Sequence, residues 1–150
     1  MYRVKMFLIL STTIGMIHAA QPIASITSAS SFELRGHTVN VDGVPTWPLT
    51  AGDQVTAGKD AATIELRDGS RVFLQKNSQL RLDSKDDTVL LHLMSGSLRM
   101  GSVVSPRVAV YASGNLVKPT GGGVVTVGLP SVAPLRAQPA LTLPHPVSHR

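Results

Sequence analysis

The fold is decided by residues 61–83, which read AATIELRDGSRVFLQKNSQLRLD. Aliphatic residues alternate with polar ones along this stretch, and short turn sequences interrupt the alternation. A period of two is typical of a half-buried β-strand, whereas a helix repeats its apolar positions every three or four residues. We therefore predict short strands whose inward side chains form the core. The predicted core residues are Ile64, Leu66, Val72, Leu74, Leu80 and Leu82.

The turn between the first two of these strands sets how they pair. A three-residue loop that ends on a left-handed Gly69 places Ile64 opposite Val72. The same register places Glu65 opposite Arg71 on the outer face, where opposite charges attract each other. A two-residue turn would bring apolar and charged residues onto the same face, so we favour the three-residue loop.

The alternation continues on both sides of residues 61–83, and we predict an all-β fold of short antiparallel strands. Inward residues recur eight positions apart in this stretch. Two architectures produce such a spacing: a compact sandwich built from a meander of hairpins, and a solenoid-like roll in which successive strands stack. Both bury the same side chains, and the sequence leaves both open.

Residues 1–19 have the composition of a secretory signal peptide. They begin with the positive charges of Arg3 and Lys5 and continue with an apolar run of about twelve residues, after which the small residues Ala19 and Ala20 follow. That run is too short to span a membrane, which takes about 20 apolar residues. We predict cleavage after Ala19 and leave cleavage after Ala20 open, so the mature protein is expected to be periplasmic or secreted.

Composition divides the mature chain into three parts. Residues 20–31 are rich in Ser, Ala and Thr and are predicted to form a flexible lead-in. Residues 32–128 carry the alternating pattern and form the predicted β domain. Residues 129–150 contain five prolines, which remove backbone donors and prevent helix formation. This Pro-rich C-terminal tail is therefore predicted to be extended or disordered.

The charge and cysteine content exclude several classes of function. The chain has 14 Lys and Arg residues against 9 Asp and Glu residues, a net charge of +5 that falls to +3 without Arg3 and Lys5. Cysteine is absent, which excludes disulfides, thiol nucleophiles, thiolate zinc sites and iron–sulfur clusters. Basic and acidic residues are interleaved, without the basic stripe and stacking aromatics of a nucleic-acid-binding surface. We expect no nucleic-acid partner.

The sequence contains none of the common motifs of catalysis or cofactor binding. G-x-S-x-G, S-x-x-K, H-E-x-x-H and G-x-x-x-x-G-K do not occur in it. His92 alternates with leucines and is predicted to face solvent. Asp83, Asp86 and Asp87 lack the spacing of a calcium loop and are interpreted as a solvated turn. We predict a protein without enzymatic activity, cofactor or bound metal.

An ordered set of short motifs between residues 36 and 100 resembles the FecR domain family. The set consists of GDQV at 52–55, Gly58, ATIELRDGSRVFL at 62–74, NSQLRL at 77–82 and LMSGSLR at 93–99. The resemblance implies an exported all-β module with no catalytic role. In the best-known members, this module is the periplasmic part of a regulator that relays signals from outer-membrane transporters to a sigma factor.

The sequence departs from those members outside the shared motifs. The 150 residues contain no anti-sigma segment, no spanning helix ahead of the motifs and no transporter-contacting domain after them. We therefore expect a free-standing, exported FecR-like protein. Such a protein would act through contact with other envelope components, in signalling or regulation.

Three apolar side chains are candidates for contact with a partner. Phe73 falls on the outer face of its strand, and Leu90 would enlarge the same apolar patch if the two strands are neighbours. Trp47, the one tryptophan, either closes the end of the core or stands exposed to stack on sugars or anchor a partner. We predict binding to a protein partner in the cell envelope. The alternative is a module that binds cell-wall or extracellular polysaccharide.

Overall fold

The computed structural model describes residues 20–104 and 106–130. The predicted signal peptide, residues 1–19, lies outside the described residues, and so does the predicted tail beyond residue 130. No helix in the described part is long and apolar enough to cross a membrane. The strands are, in chain order, β1 (Ala24–Ser28), β2 (Phe32–Leu34), β3 (His37–Val39), β4 (Trp47–Leu49), β5 (Gln54–Thr56), β6 (Ala62–Leu66), β7 (Arg71–Leu74), β8 (Gln79–Lys85), β9 (Thr88–Ser95), β10 (Ser97–Gly101), β11 (Val108–Ala112), β12 (Asn115–Val117) and β13 (Val124–Gly128).

The strands form two sheets with one core between them. The six-stranded sheet has the order β13-β10-β7-β6-β1-β4, and the seven-stranded sheet has the order β12-β11-β9-β8-β5-β2-β3. Inward side chains of both sheets belong to a single hydrophobic cluster. The predicted all-β fold is therefore confirmed, and it takes the form of a two-sheet sandwich.

The chain passes repeatedly from one sheet to the other. β6 and β7 form a hairpin in the six-stranded sheet, β8 and β9 form one in the seven-stranded sheet, and β10 returns to the first. Strand positions along both sheets broadly follow chain order, as they do in a roll. Because β10 lies in the other sheet, β9 and β11 become neighbours and pair in parallel. This pair is the one departure from antiparallel pairing among the described strands.

The core and the hairpin register agree with the predictions. All six predicted core residues are at most 3% exposed. Ile64 lies opposite Val72, and Glu65 lies opposite Arg71. Gly69 has a φ of 86°, a left-handed conformation that glycine adopts without steric cost. The three-residue loop is therefore confirmed.

The predicted flexible lead-in is wrong for Ala24–Ser28, which form β1. This strand pairs with β6 on one side and with β4 on the other. Ala24 and Ile26 are buried, and Ser25 and Thr27, which alternate with them, carry small hydroxyl side chains. Because β1 has so few apolar residues, its alternation could not be recognised within a segment rich in Ser, Ala and Thr. The β domain therefore begins near Ile23 rather than at Phe32.

Candidate functional site

The outer face of the six-stranded sheet exposes an aromatic ring near its centre. Val72 and Leu74 of β7 point into the core. Side chains alternate along a strand, so Arg71 and Phe73 point outward. Phe73 is 41% exposed. An aromatic side chain that stays exposed on a regular strand is a candidate contact residue, because aromatics are enriched at protein interfaces.

A row of outward side chains crosses this sheet on both sides of Phe73. Arg99 on β10 and Thr63 on β6 lie directly opposite Phe73. Thr126 on β13 extends the row beyond Arg99, and Thr27 on β1 extends it beyond Thr63. We call these five residues the Phe73 row. It presents one aromatic ring, one guanidinium group and three hydroxyl groups to a partner.

The positive charge of the Phe73 row comes from Arg99. None of the ion pairs among the described residues includes Arg99. On the same face, Arg71 Nε lies 3.8 Å from Glu65 Oε2, and both side chains are more than half exposed. Exposed pairs of this kind contribute little to stability. Because Arg99 belongs to none of these ion pairs, a carboxylate of a partner could pair with it without displacing an ion pair of the protein itself.

Leu90 does not belong to the Phe73 surface. It lies on β9 in the seven-stranded sheet, whereas Phe73 lies on β7 in the six-stranded sheet. The two sheets face each other across one core, so their outward side chains point to opposite sides of the molecule. The condition for a shared patch of Phe73 and Leu90, that their strands be neighbours, is therefore not met. Leu90 is half-buried, with Asp83 and Ala109 as its cross-strand neighbours.

Trp47 faces the core rather than solvent. It lies on edge strand β4 opposite Ile26, which is fully buried. Directly opposite residues share a face of the sheet, so the indole points inward. The ring is half-buried and packs against the core cluster. Of the two roles that the sequence leaves open for Trp47, the structure fits closure of the core.

The opposite outer face holds a polar cluster that the sequence pattern did not indicate. Arg81 Nε donates a hydrogen bond of 3.0 Å to Asp83 Oδ2, and His92 Nε2 lies 3.6 Å from the same oxygen. The His92 ring stacks on Tyr111 with centroids 4.9 Å apart and planes 9° apart. The stack depends on the parallel pairing of β9 with β11. The alternation within each strand does not predict which other strand it pairs with.

Asp53, one of the motif residues of the FecR resemblance, has a structural role. Its side chain is 2% exposed. Arg35 Nε donates to Asp53 Oδ1, and the Thr50 backbone N–H donates to Asp53 Oδ2 over 2.7 Å. The hydrogen bond to Asp53 raises the pKa of the Arg35 guanidinium above its ordinary value. The carboxylate thus joins the β2–β3 turn to the β4–β5 turn.

Asp68, a second motif residue, organises the β6–β7 turn. Its carboxylate accepts hydrogen bonds from the backbone and hydroxyl of Ser70, at 2.9 and 3.1 Å. It also accepts one of 2.9 Å from the Arg107 backbone N–H. These contacts connect the β6–β7 turn to the segment before β11. Both motif carboxylates are therefore engaged in holding turns together.

A cavity of about 340 Å³ opens beside Asp68, at the end of the sandwich. Its wall also includes Arg67, Asp87 and Arg107. Arg67 Nη2 donates to the Pro22 carbonyl oxygen at 2.6 Å, and Arg107 Nη1 lies 3.7 Å from Asp87 Oδ2. The charged groups of the wall already have partners. Within residues 20–104 and 106–130, no three His, Asp or Glu side chains are grouped so that they could hold a metal ion.

Comparisons with models of protein families, with curated proteins and with solved structures find no match for this chain. The function therefore has to be inferred from the motifs of the sequence and from the side chains on the two outer faces. Of those faces, the one that carries Phe73 combines an exposed aromatic ring with a guanidinium group outside any ion pair of the described part.

Proposed function

We propose that this chain is an exported, non-catalytic FecR-like module that binds a protein partner in the cell envelope. The observation that carries the proposal is the exposure of Phe73 at the centre of the Phe73 row. Binding of this kind suits a role in signalling or regulation in the periplasm or outside the cell. The motifs that resemble the FecR family support the same assignment.

The Phe73 row suggests the chemistry of the partner. Phe73 offers an apolar ring that an apolar depression on the partner can bury, which is the usual arrangement at an interface hot spot. Arg99 lies next to it and can form a bidentate ion pair with a carboxylate. Threonine hydroxyls on both sides can donate and accept hydrogen bonds. The expected partner surface is therefore an apolar depression bordered by an acidic residue.

The hydrogen bonds of the two motif carboxylates favour a binding module over an enzyme. Asp53 and Asp68 are both engaged in hydrogen bonds that hold turns together. A general acid or base must instead be free to reach the substrate proton that it transfers. The motif residues of the FecR resemblance therefore support a scaffold whose contacts with other molecules come from its outer faces.

A photocrosslinking experiment tests the proposal. A photoreactive phenylalanine analogue is placed at position 73 or at position 90 of the exported protein, and crosslinked envelope proteins are identified. We expect one protein to be captured from position 73 and not from position 90, because the two positions lie on opposite faces. Capture of the same protein with equal yield from both positions would contradict the assignment of the binding face.

The captured protein then allows the interaction to be measured. We expect Phe73→Ser to weaken binding to the purified partner about thirtyfold, because truncation of an aromatic hot spot costs about 2 kcal/mol. Leu90→Ser is the matched control and should leave the dissociation constant unchanged. Equal dissociation constants for Phe73→Ser and the unmodified protein would refute the role of this face.

The second candidate function is polysaccharide binding, and the position of Trp47 does not support it. A sugar-binding aromatic side chain has to present its ring to solvent, whereas Trp47 packs against the core. Retention on peptidoglycan or polysaccharide, without any protein crosslinked through position 73, would nevertheless favour this second candidate over the first.

A further inference from the structure

The outer edge of β13 is the least protected strand edge of the sandwich. β13 pairs with β10 on one side, and no strand within residues 20–104 and 106–130 pairs with its other side. It has five residues, whereas the edge strands β3, β4 and β12 have three each. β4 also contains Pro48, a common device for blocking an edge. β13 reads VVTVG and contains neither proline nor charge.

The backbone groups on the free side of β13 can be identified from its bonds to the neighbouring segment. Leu129 N donates to Gly96 O, and Ser102 N donates to Gly123 O. In an antiparallel ladder, backbone groups of successive residues point to opposite sides. The N–H and C=O groups of Val125 and Val127 therefore point toward β10. Those of Val124, Thr126 and Gly128 point away from the sheet.

We infer that β13 pairs with β13 of a second copy of this chain, antiparallel about a two-fold axis at Thr126. In this register Thr126 lies opposite Thr126 of the second copy, and Val124 lies opposite Gly128. Every outward N–H and C=O group of the three residues then has a partner, which gives six hydrogen bonds in the ladder. A register centred on Val125 or on Val127 pairs only two of the three residues within the strand.

The side chains of β13 are compatible with the same register. On the inner face, half-buried Val125 would lie opposite Val127 of the second copy, so the aliphatic core would continue across the axis. On the outer face, Val124 is 60% exposed and would lie opposite Gly128, which has no side chain to obstruct it. No charge in β13 would meet its own copy across the axis. The strand is therefore complementary to itself on both faces.

This pairing would join two six-stranded sheets into one twelve-stranded sheet with a continuous outer face. The two copies of Phe73 would be five strand spacings apart, about 24 Å, on the same side. A partner with two equivalent sites could then bind both copies at once. The inference concerns the edge of the sheet and does not depend on what Phe73 binds.

The test uses charge at position 126 in the exported chain. Lysine at this position places two like charges next to each other on the axis, which disfavours pairing. We expect the unmodified chain to show a concentration-dependent dimer in sedimentation velocity, and Thr126→Lys and Thr126→Asp each to be monomeric. An equimolar mixture of the two variants should recover the dimer, because opposite charges then meet across the axis.

Thr27→Lys is the matched control, because Thr27 belongs to the Phe73 row but lies on the inner strand β1. This control should still form the dimer, and circular dichroism should show that all three variants remain folded. An unmodified chain that is monomeric at every concentration would overturn the inference, whether or not Phe73 binds a partner. A dimer that persists in Thr126→Lys, or a mixture that stays monomeric, would also overturn it.

Discussion

The inner and outer faces of the six-stranded sheet are formed by alternate residues of the same strands, but different interactions determine their neighbours. Ile64, Val72 and Leu98 are fully buried inner residues of one hydrophobic cluster. On the outer face, Phe73 and Arg99 meet because β7 and β10 are adjacent, although β8 and β9 separate them in sequence. Alternation therefore determines which face a residue occupies, whereas strand order determines which outer residues form a surface.

Placing a charged side chain at one inner position should have the largest effect on folding. Leu74 is fully buried. Leu74→Asp removes packing worth about 2–5 kcal/mol and buries a carboxylate at a further cost of several kcal/mol. The sum is comparable to the whole stability of a domain, about 5–15 kcal/mol. We expect a protein without a cooperative thermal transition in circular dichroism.

Phe73→Asp is the control on the adjacent outer position. Because Phe73 is exposed, the new carboxylate remains hydrated, and we expect a thermal midpoint close to that of the unmodified protein. Equal loss of folding in both variants would show that β7 does not separate an inner face from an outer face.

Asp53 is the one charged residue among the buried residues of the described part. Asp53→Asn keeps the shape of the side chain but removes the charge that Arg35 and the Thr50 N–H contact. The neutral side chain of Asn accepts a weaker hydrogen bond from Arg35, and its NH₂ group can be left buried without an acceptor. We expect the free energy of unfolding, measured with urea, to fall by about 1–3 kcal/mol.

Asp42→Asn is the matched control for this carboxylate. Asp42 is exposed in a turn, and no hydrogen bond or ion pair of its side chain occurs among the described residues. We expect its free energy of unfolding to stay within about 0.5 kcal/mol of the unmodified value. Similar losses in both variants would mean that Asp53 does not connect the two turns.

The parts of the fold that depend on local pattern could be predicted from the sequence. Period-two alternation identified buried residues such as Leu66 and Leu80, because inward positions must be apolar wherever one face of a strand is covered. The turn at Gly69 fixed the β6–β7 register through the chemistry of a few adjacent residues. β1 was missed because only Ala24 and Ile26 carry its pattern.

The arrangement of the outer faces could not be predicted, because it depends on pairing between distant segments. Phe73 and Leu90 were both correctly placed outward, but sequence does not show that β7 and β9 lie in different sheets. The stack of His92 on Tyr111 likewise requires the parallel pairing of β9 and β11. The candidate binding face therefore emerged only from the order of strands in the two sheets.

A substitution at Gly69 should have the smallest effect, because it changes only the turn between β6 and β7. Its left-handed φ of 86° closes the turn that sets the β6–β7 register. A Cβ at this position would meet only Val103 Cγ1, at an ordinary 3.5 Å, so Gly69→Ala acts through backbone strain of about 1–2 kcal/mol. Gly101→Ala is the control, because its Cβ would meet nothing within 4 Å and its φ is not left-handed. We expect urea unfolding to show the loss in Gly69→Ala alone, and equal stability of the two variants would indicate that the turn does not hold the register.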